Sequence, residues 1–127
     1  MLPNFLLPET VARQDGTGPI LELGPAAGQP VLLTLGITRI IEQESLDLGL
    51  YGSVDGESWS EKALLAFPQK FYCGTYSLLL DLTAHPEIKH LRVKWKMSRW
   101  GRGEPAPLFS FYVFVQQATA VVNYAVA

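Results

Sequence analysis

"HLRVKWKMSR", residues 90–99, decides the fold. Leu91, Val93, Trp95 and Met97 alternate with Arg92, Lys94, Lys96 and Ser98. A period of two gives one apolar and one polar face only on an extended chain, so this is a half-buried strand. The same alternation recurs upstream in "SLDLGLYG" (45–52), where Leu46, Leu48 and Leu50 oppose Asp47, Gly49 and Tyr51. "VLLTLGITRII" (31–41) is apolar and β-branched and long enough to cross a sheet, with a bulge expected at Gly36. "LFSFYVFVQQ" (108–117) is apolar on both faces, the mark of a central strand or one covered by a second surface.

Shorter strands are expected at Ile20–Leu23 and Tyr76–Leu82, Glu61–Ala66 shows at most a short helical turn, and Gly and Pro punctuate the segments between. Seven or eight short strands with turns between them, and no sustained helical period, predict an all-β fold. The expected architecture is a single antiparallel, jelly-roll-like β-sandwich. Residues 19–117 are read as the sandwich, residues 1–18 as an apolar N-terminal arm, and 118–127 as a C-terminal strand or arm. The ends either complete the chain's own sandwich or lie on neighbouring subunits, and the low charge favours the latter.

Of 127 residues, 48% are hydrophobic and 17% charged, against about a quarter charged in ordinary soluble domains. Apolar surface must then be covered by a thick core or by partners. The net charge of −2 argues against a protein built around nucleic-acid phosphates. Six of the ten bases lie between Lys89 and Arg102, whereas most acids precede residue 62. One cysteine, Cys73, leaves no intramolecular disulfide and no cysteine-cluster zinc site. The proline-broken start has neither a signal-peptide pattern nor a spanning helix, so the cytoplasm is the default compartment.

"YGSVDGESW" (51–59) holds a hairpin signal: Asp55-Gly56 suits a tight turn, Ser53 can bond the turn backbone, and Trp59 can fold onto the sandwich. As a calcium loop it is short of ligands, with only Asp55 and Glu57 inside it. It resembles the S-x-D-G-x-x-W hairpin of discoidin-like and other galactose-binding-like sandwiches and of small β-sandwich proteins of phage and prophage particles. The resemblance runs from Leu32 to Val115 in order of elements and includes the later "HLRVKW" and "PLFSFYVFV" strands. It implies a non-catalytic module that binds sugars or packs into a particle; no family binding residue carries over.

Other chemistry is weaker. Cys73 in "KFYCGTY" with His85 or His90 as base would make a nucleophile pair, and "HPEIKH" (85–90) spaces two histidines around Glu87, the ligand types of a two-histidine, one-carboxylate metal site. A buried or structural cysteine and loop histidines account for both, so no catalytic residue, metal or cofactor is expected. The Gly- and Pro-rich loop "WGRGEPAP" (100–107) has no phosphate-cradle spacing but offers Trp100 and Arg102 next to Arg99, types that dominate contact hot spots.

The expected function is therefore a non-enzymatic subunit that self-assembles, or docks on a particle, filament or multi-subunit enzyme. Phe5, Leu6, Leu7, Arg99, Trp100, Arg102, Val121, Val122 and Tyr124 are its expected interface residues. The alternative is a carbohydrate-binding module stacking sugars on Tyr51, Tyr72 or Trp100.

Overall fold

Strand periodicity along the chain closes into two antiparallel sheets packed face to face in the computed structural model. It describes residues 2–40, 44–70, 72–99 and 108–118. The strands are β1 (Asn4–Ala12), β2 (Gly16–Thr17), β3 (Leu21–Glu22), β4 (Pro30–Ile40), β5 (Glu44–Ser53), β6 (Leu65–Ala66), β7 (Gly74–Asp81), β8 (His90–Arg99) and β9 (Phe109–Gln117). One sheet has the order β1-β9-β4-β7; the other runs β2-β8-β5-β6, with β3 also on β8. Sequence neighbours repeatedly cross from one sheet to the other, which makes the sandwich a jelly roll.

The core forms where the alternating strands meet. Leu91, Val93 and Met97 of β8 and Leu46, Leu48 and Leu50 of β5 point inward against Leu33, Leu35, Phe109, Phe111 and Val113 of the other sheet. Each such side chain contributes about 1.5–3 kcal/mol by leaving water. Trp95 lies at the margin of this core. Its ring meets Phe111 edge-on at 5.4 Å, and its indole N–H donates to the Gln14 carbonyl at 2.9 Å.

Three expectations are corrected. The N-terminal segment is not an arm: Asn4–Ala12 pairs with β9 of the same chain, and Leu6 and Leu7 are fully inside the chain's own core. Register shifts between Phe5 and Leu7 and between Leu7 and Thr10 turn two adjacent leucines inward, which strict alternation forbids. The irregularity in β4 falls between Ile37 and Arg39 rather than at Gly36. Gly36 instead makes room for the Tyr112 ring on the neighbouring strand. Leu65–Ala66, where the sequence suggests a short helical turn, is the two-residue strand β6.

Candidate functional site

The Ser53–Trp59 turn is closed on itself. Asp55 Oδ1 accepts the Glu57 N–H at 2.8 Å, the Ser58 N–H at 2.9 Å and the Ser53 hydroxyl at 3.1 Å. Ser53 Oγ in turn accepts the Gly56 N–H at 2.8 Å. Gly56 has φ +82°, a conformation glycine adopts without cost. Hydrogen bonds from Ser58 and then Glu57 stabilise the charged carboxylate and hold the Asp55 pKa below its ordinary value. The Ser53 carbonyl accepts the Lys89 N–H at 2.9 Å, tying the turn to the start of β8. Trp59 lies under the Arg92 guanidinium, 4.2 Å from its ring centre. Asp55 Oδ1 and Ser53 Oγ are thus taken up by bonds within the turn itself.

The two sheets present opposite chemistry outward. On the β2-β8-β5-β6 sheet, cross-strand pairs set Tyr51 beside Arg92, Gly49 beside Lys94 and Asp47 beside Lys96. Gly49, Ala63 and Ala66 leave a depression of about 260 Å³ between Asp47, Tyr51, Phe67, Lys94 and Lys96. The Lys94 ammonium sits 4.7 Å over the Tyr51 ring. Asp47 accepts a hydrogen bond from the Gln69 amide at 3.0 Å.

On the β1-β9-β4-β7 sheet, three outward rows carry no charge. Leu79, Leu32 and Gln116 form one, Ser77, Thr34, Phe114 and Phe5 the next, and Thr75, Gly36 and Tyr112 the third. Phe5 meets Phe114 edge-on at 5.1 Å and Tyr112 at 5.8 Å. These three rings and Pro8, Glu9, Thr34 and Gln116 line an open groove of about 550 Å³. Phe5 is 46% exposed and Leu79 55%.

The structure does not bring together those expected interface and stacking residues that it describes. Phe5 faces outward, whereas Leu6 and Leu7 are buried and cannot contact a partner. Arg99 ends β8; its side chain, Trp100, Arg102, Val121, Val122 and Tyr124 lie outside the described residues. Tyr51 and Tyr72 share no platform. Tyr72 follows Lys70, which bridges Leu46, and Leu46 is five residues along β5 from Tyr51, about 17 Å at strand rise.

Cys73 is exposed and sits just before Gly74, at the Ile37 end of β7. His85 follows the other end of β7, about 27 Å away along eight residues, and His90 begins β8 at that same end. The cysteine and the histidines therefore do not form a dyad. His85 Nδ1 lies 3.7 Å from Glu87 Oε1 in solvent, and no three ligating side chains converge among the described residues.

The outward aromatic cluster was hidden in the sequence because Phe5 is about a hundred residues from its partners. The doubly apolar β9 was its signal. The Gly49 depression had a signal too, a glycine on the polar side of a clean alternator. No protein-family model matches this chain, and comparison with curated proteins finds no relative.

Proposed function

We propose that this chain is a non-catalytic β-sandwich subunit that self-associates within a larger protein assembly. The observation that carries the reading is the uncharged outer face of the β1-β9-β4-β7 sheet, with Phe5, Tyr112, Phe114, Leu32 and Leu79 on it. Three rows about 6.8 Å apart across four strands about 4.8 Å apart span roughly 300–400 Å² of sheet. Its apolar members lie among Thr34, Ser77, Thr75 and Gln116, and the largest patch on a protein, about 300–600 Å², is often functional. A face without charge meets a second copy of itself with no like-charge repulsion, so it suits a symmetric contact. Arg39 and Asp81 fall at its margins, where a contact rim carries polar groups, and Glu9 borders the groove beside Tyr112 and Phe5.

Sedimentation velocity on the full chain across a concentration series tests the reading. The expected result is a mass that rises with concentration, with growth beyond the dimer lost in Phe5→Lys. A monomer of 14.0 kDa at every concentration overturns it.

A second reading, glycan binding, is favoured by the Gly49 depression, where Tyr51 offers a ring and Asp47, Lys94 and Lys96 offer polar contacts. Trp95 lines the same depression, so a bound saccharide changes tryptophan fluorescence, and Tyr51→Ala abolishes the change. Silence across neutral and acidic oligosaccharides removes this reading.

A further inference from the structure

We infer that two copies of the chain join edge to edge through β7, antiparallel across a two-fold axis, so that their β1-β9-β4-β7 sheets merge into one of eight strands. The inference rests on the reading that the chain self-associates, and it adds a second surface, the β7 edge, to the outer face.

The molecule treats its sheet edges unequally. An exposed edge strand offers unpaired N–H and C=O groups to any other chain, and folded proteins blunt such edges with prolines, charges, bulges or brevity. β1 is blunted by Pro8, Glu9 and two register shifts. β2, β3 and β6 are two residues each. β7 has none of these devices. It pairs with β4 without a register shift from Pro30↔Asp81 to Ile37↔Gly74, and among the described residues nothing pairs with its other side. Its eight residues, GTYSLLLD, include no proline and no lysine, and their one charge, Asp81, stands at the end.

The side chains tell the same story as the backbone. Thr75, Ser77 and Leu79 face outward and are exposed. Tyr76 and Leu78 face inward, yet they remain only partly buried, because the facing sheet ends in the two-residue β6. The nearby cation, Lys70, is stacked 3.8 Å over the Tyr76 ring. Among the described residues, the sandwich is thus unfinished along this side in backbone, in its inner row and in its outer row.

A second copy finishes it without any new element. An antiparallel strand is its own complement across a two-fold axis. Side chains opposed in such a pair share a face, so the axis passes beside Ser77 or beside Leu78; a register between them would set outer residues against inner ones. With the axis at Ser77, Tyr76 opposes Leu78 of the second copy, an aromatic–aliphatic pair of the kind that stabilises sheets. The contact is about 27 Å long and roughly 15–20 Å deep, which buries about 800–1,000 Å² in total, the lower bound for specific association. A dimer that forms and dissociates with concentration is the expected behaviour.

Oxidative cross-linking tests the geometry on the full chain in a Cys73→Ser background. Opposed residues lie about 4.5–5.5 Å apart between Cα atoms, within the span a disulfide bridges. Ser77→Cys or Leu78→Cys is expected to shift the 14.0 kDa band to twice that mass under mild oxidant, whereas Val11→Cys on β1 stays monomeric. Hydrogen exchange on the unsubstituted chain gives a second readout, in which β7 amides slow as concentration rises. If sedimentation shows an oligomer but neither cysteine cross-links and β7 exchange is independent of concentration, the edge pairing is overturned while self-association stands. If the chain is a monomer throughout, both are overturned.

Discussion

Gly36→Ala is the substitution whose effect the structure fixes most tightly. Gly36 sits in the middle of β4 with Thr75 on one side and Tyr112 on the other. A Cβ there would fall 2.2 Å from two Tyr112 ring carbons and 2.5 Å from its hydroxyl oxygen, so the ring must leave. It would lift from the sheet and from its edge-on contact with Phe5. Re-exposing about 50 Å² of ring costs roughly 1.2 kcal/mol at 25 cal/mol/Å². The aromatic pair adds about 0.5–1.5 kcal/mol. The backbone itself favours alanine, since the residue lies in an ordinary strand and the unfolded chain loses freedom, an offset of about 0.4–1 kcal/mol. The net loss is about 1–2 kcal/mol, carried by one neighbour. In a Tyr112→Ala background the same substitution should therefore change sign and stabilise by about 0.4–1 kcal/mol. Urea denaturation of the four proteins, at a concentration where they are monomeric, closes the double-mutant cycle. A coupling below about 0.5 kcal/mol would refute the argument, because that is the scatter of independent sites.

Two further outcomes follow from the core and the turn. Phe111→Ala should cost about 3–5 kcal/mol in the same assay, since its ring is fully buried against Trp95. Phe5→Ala should cost far less, and its main effect should be weaker association; equal losses would mean that Phe5 is not on the outer face. The Asp55 carboxylate has a lowered pKa because Ser58 and Glu57 donate to it, and Asp81 is lowered by the Thr83 hydroxyl and N–H. A group whose folded pKa is depressed contributes stability above its unfolded value, about 3.9, and loses it as pH falls through the folded value. Asp55→Asn should therefore be less stable than the parent at neutral pH, and the two should converge in acid. A gap that stays constant down to full protonation would show that the charge plays no part.

The sandwich was legible where side chains obey a period of two. β5 and β8 could be read residue by residue because one face of each is packed and the other is wet. The Ser53–Trp59 turn was legible for a related reason: its bonds span two or three residues, so local chemistry specifies them. β1 was not legible. Its register shifts put Leu6 and Leu7 on the same side, and Pro8 reads as a breaker unless the strand is known to lie at an edge. Gly36 shows the same limit in another form. A glycine in a strand marks either a bulge or a close approach, and only the cross-strand partner, Tyr112, decides which. The outer aromatic cluster and the open side at β7 depend on residues remote in sequence and on what the facing sheet leaves uncovered.

The uneven charge of the chain gains a meaning once the fold is known. Arg92, Lys94 and Lys96, which the sequence shows as a basic run, project from one face of β8, on the side of the sandwich opposite the uncharged rows. A two-fold axis perpendicular to the merged sheet keeps like faces on the same side. In the proposed dimer, the uncharged surfaces of the two copies therefore become one wide surface, and the basic faces both point the other way. That arrangement doubles the apolar area without bringing the lysine rows toward each other, so edge pairing carries little electrostatic penalty. If the edges join first, the uncharged face offered to a further partner is about twice as wide. If the order were reversed, with faces stacking first, Phe5→Lys would abolish the dimer as well as higher species. On the edge-first order, Phe5→Lys stops growth at the dimer, and a disruptive charge on β7, such as Leu78→Lys, returns the chain to monomer.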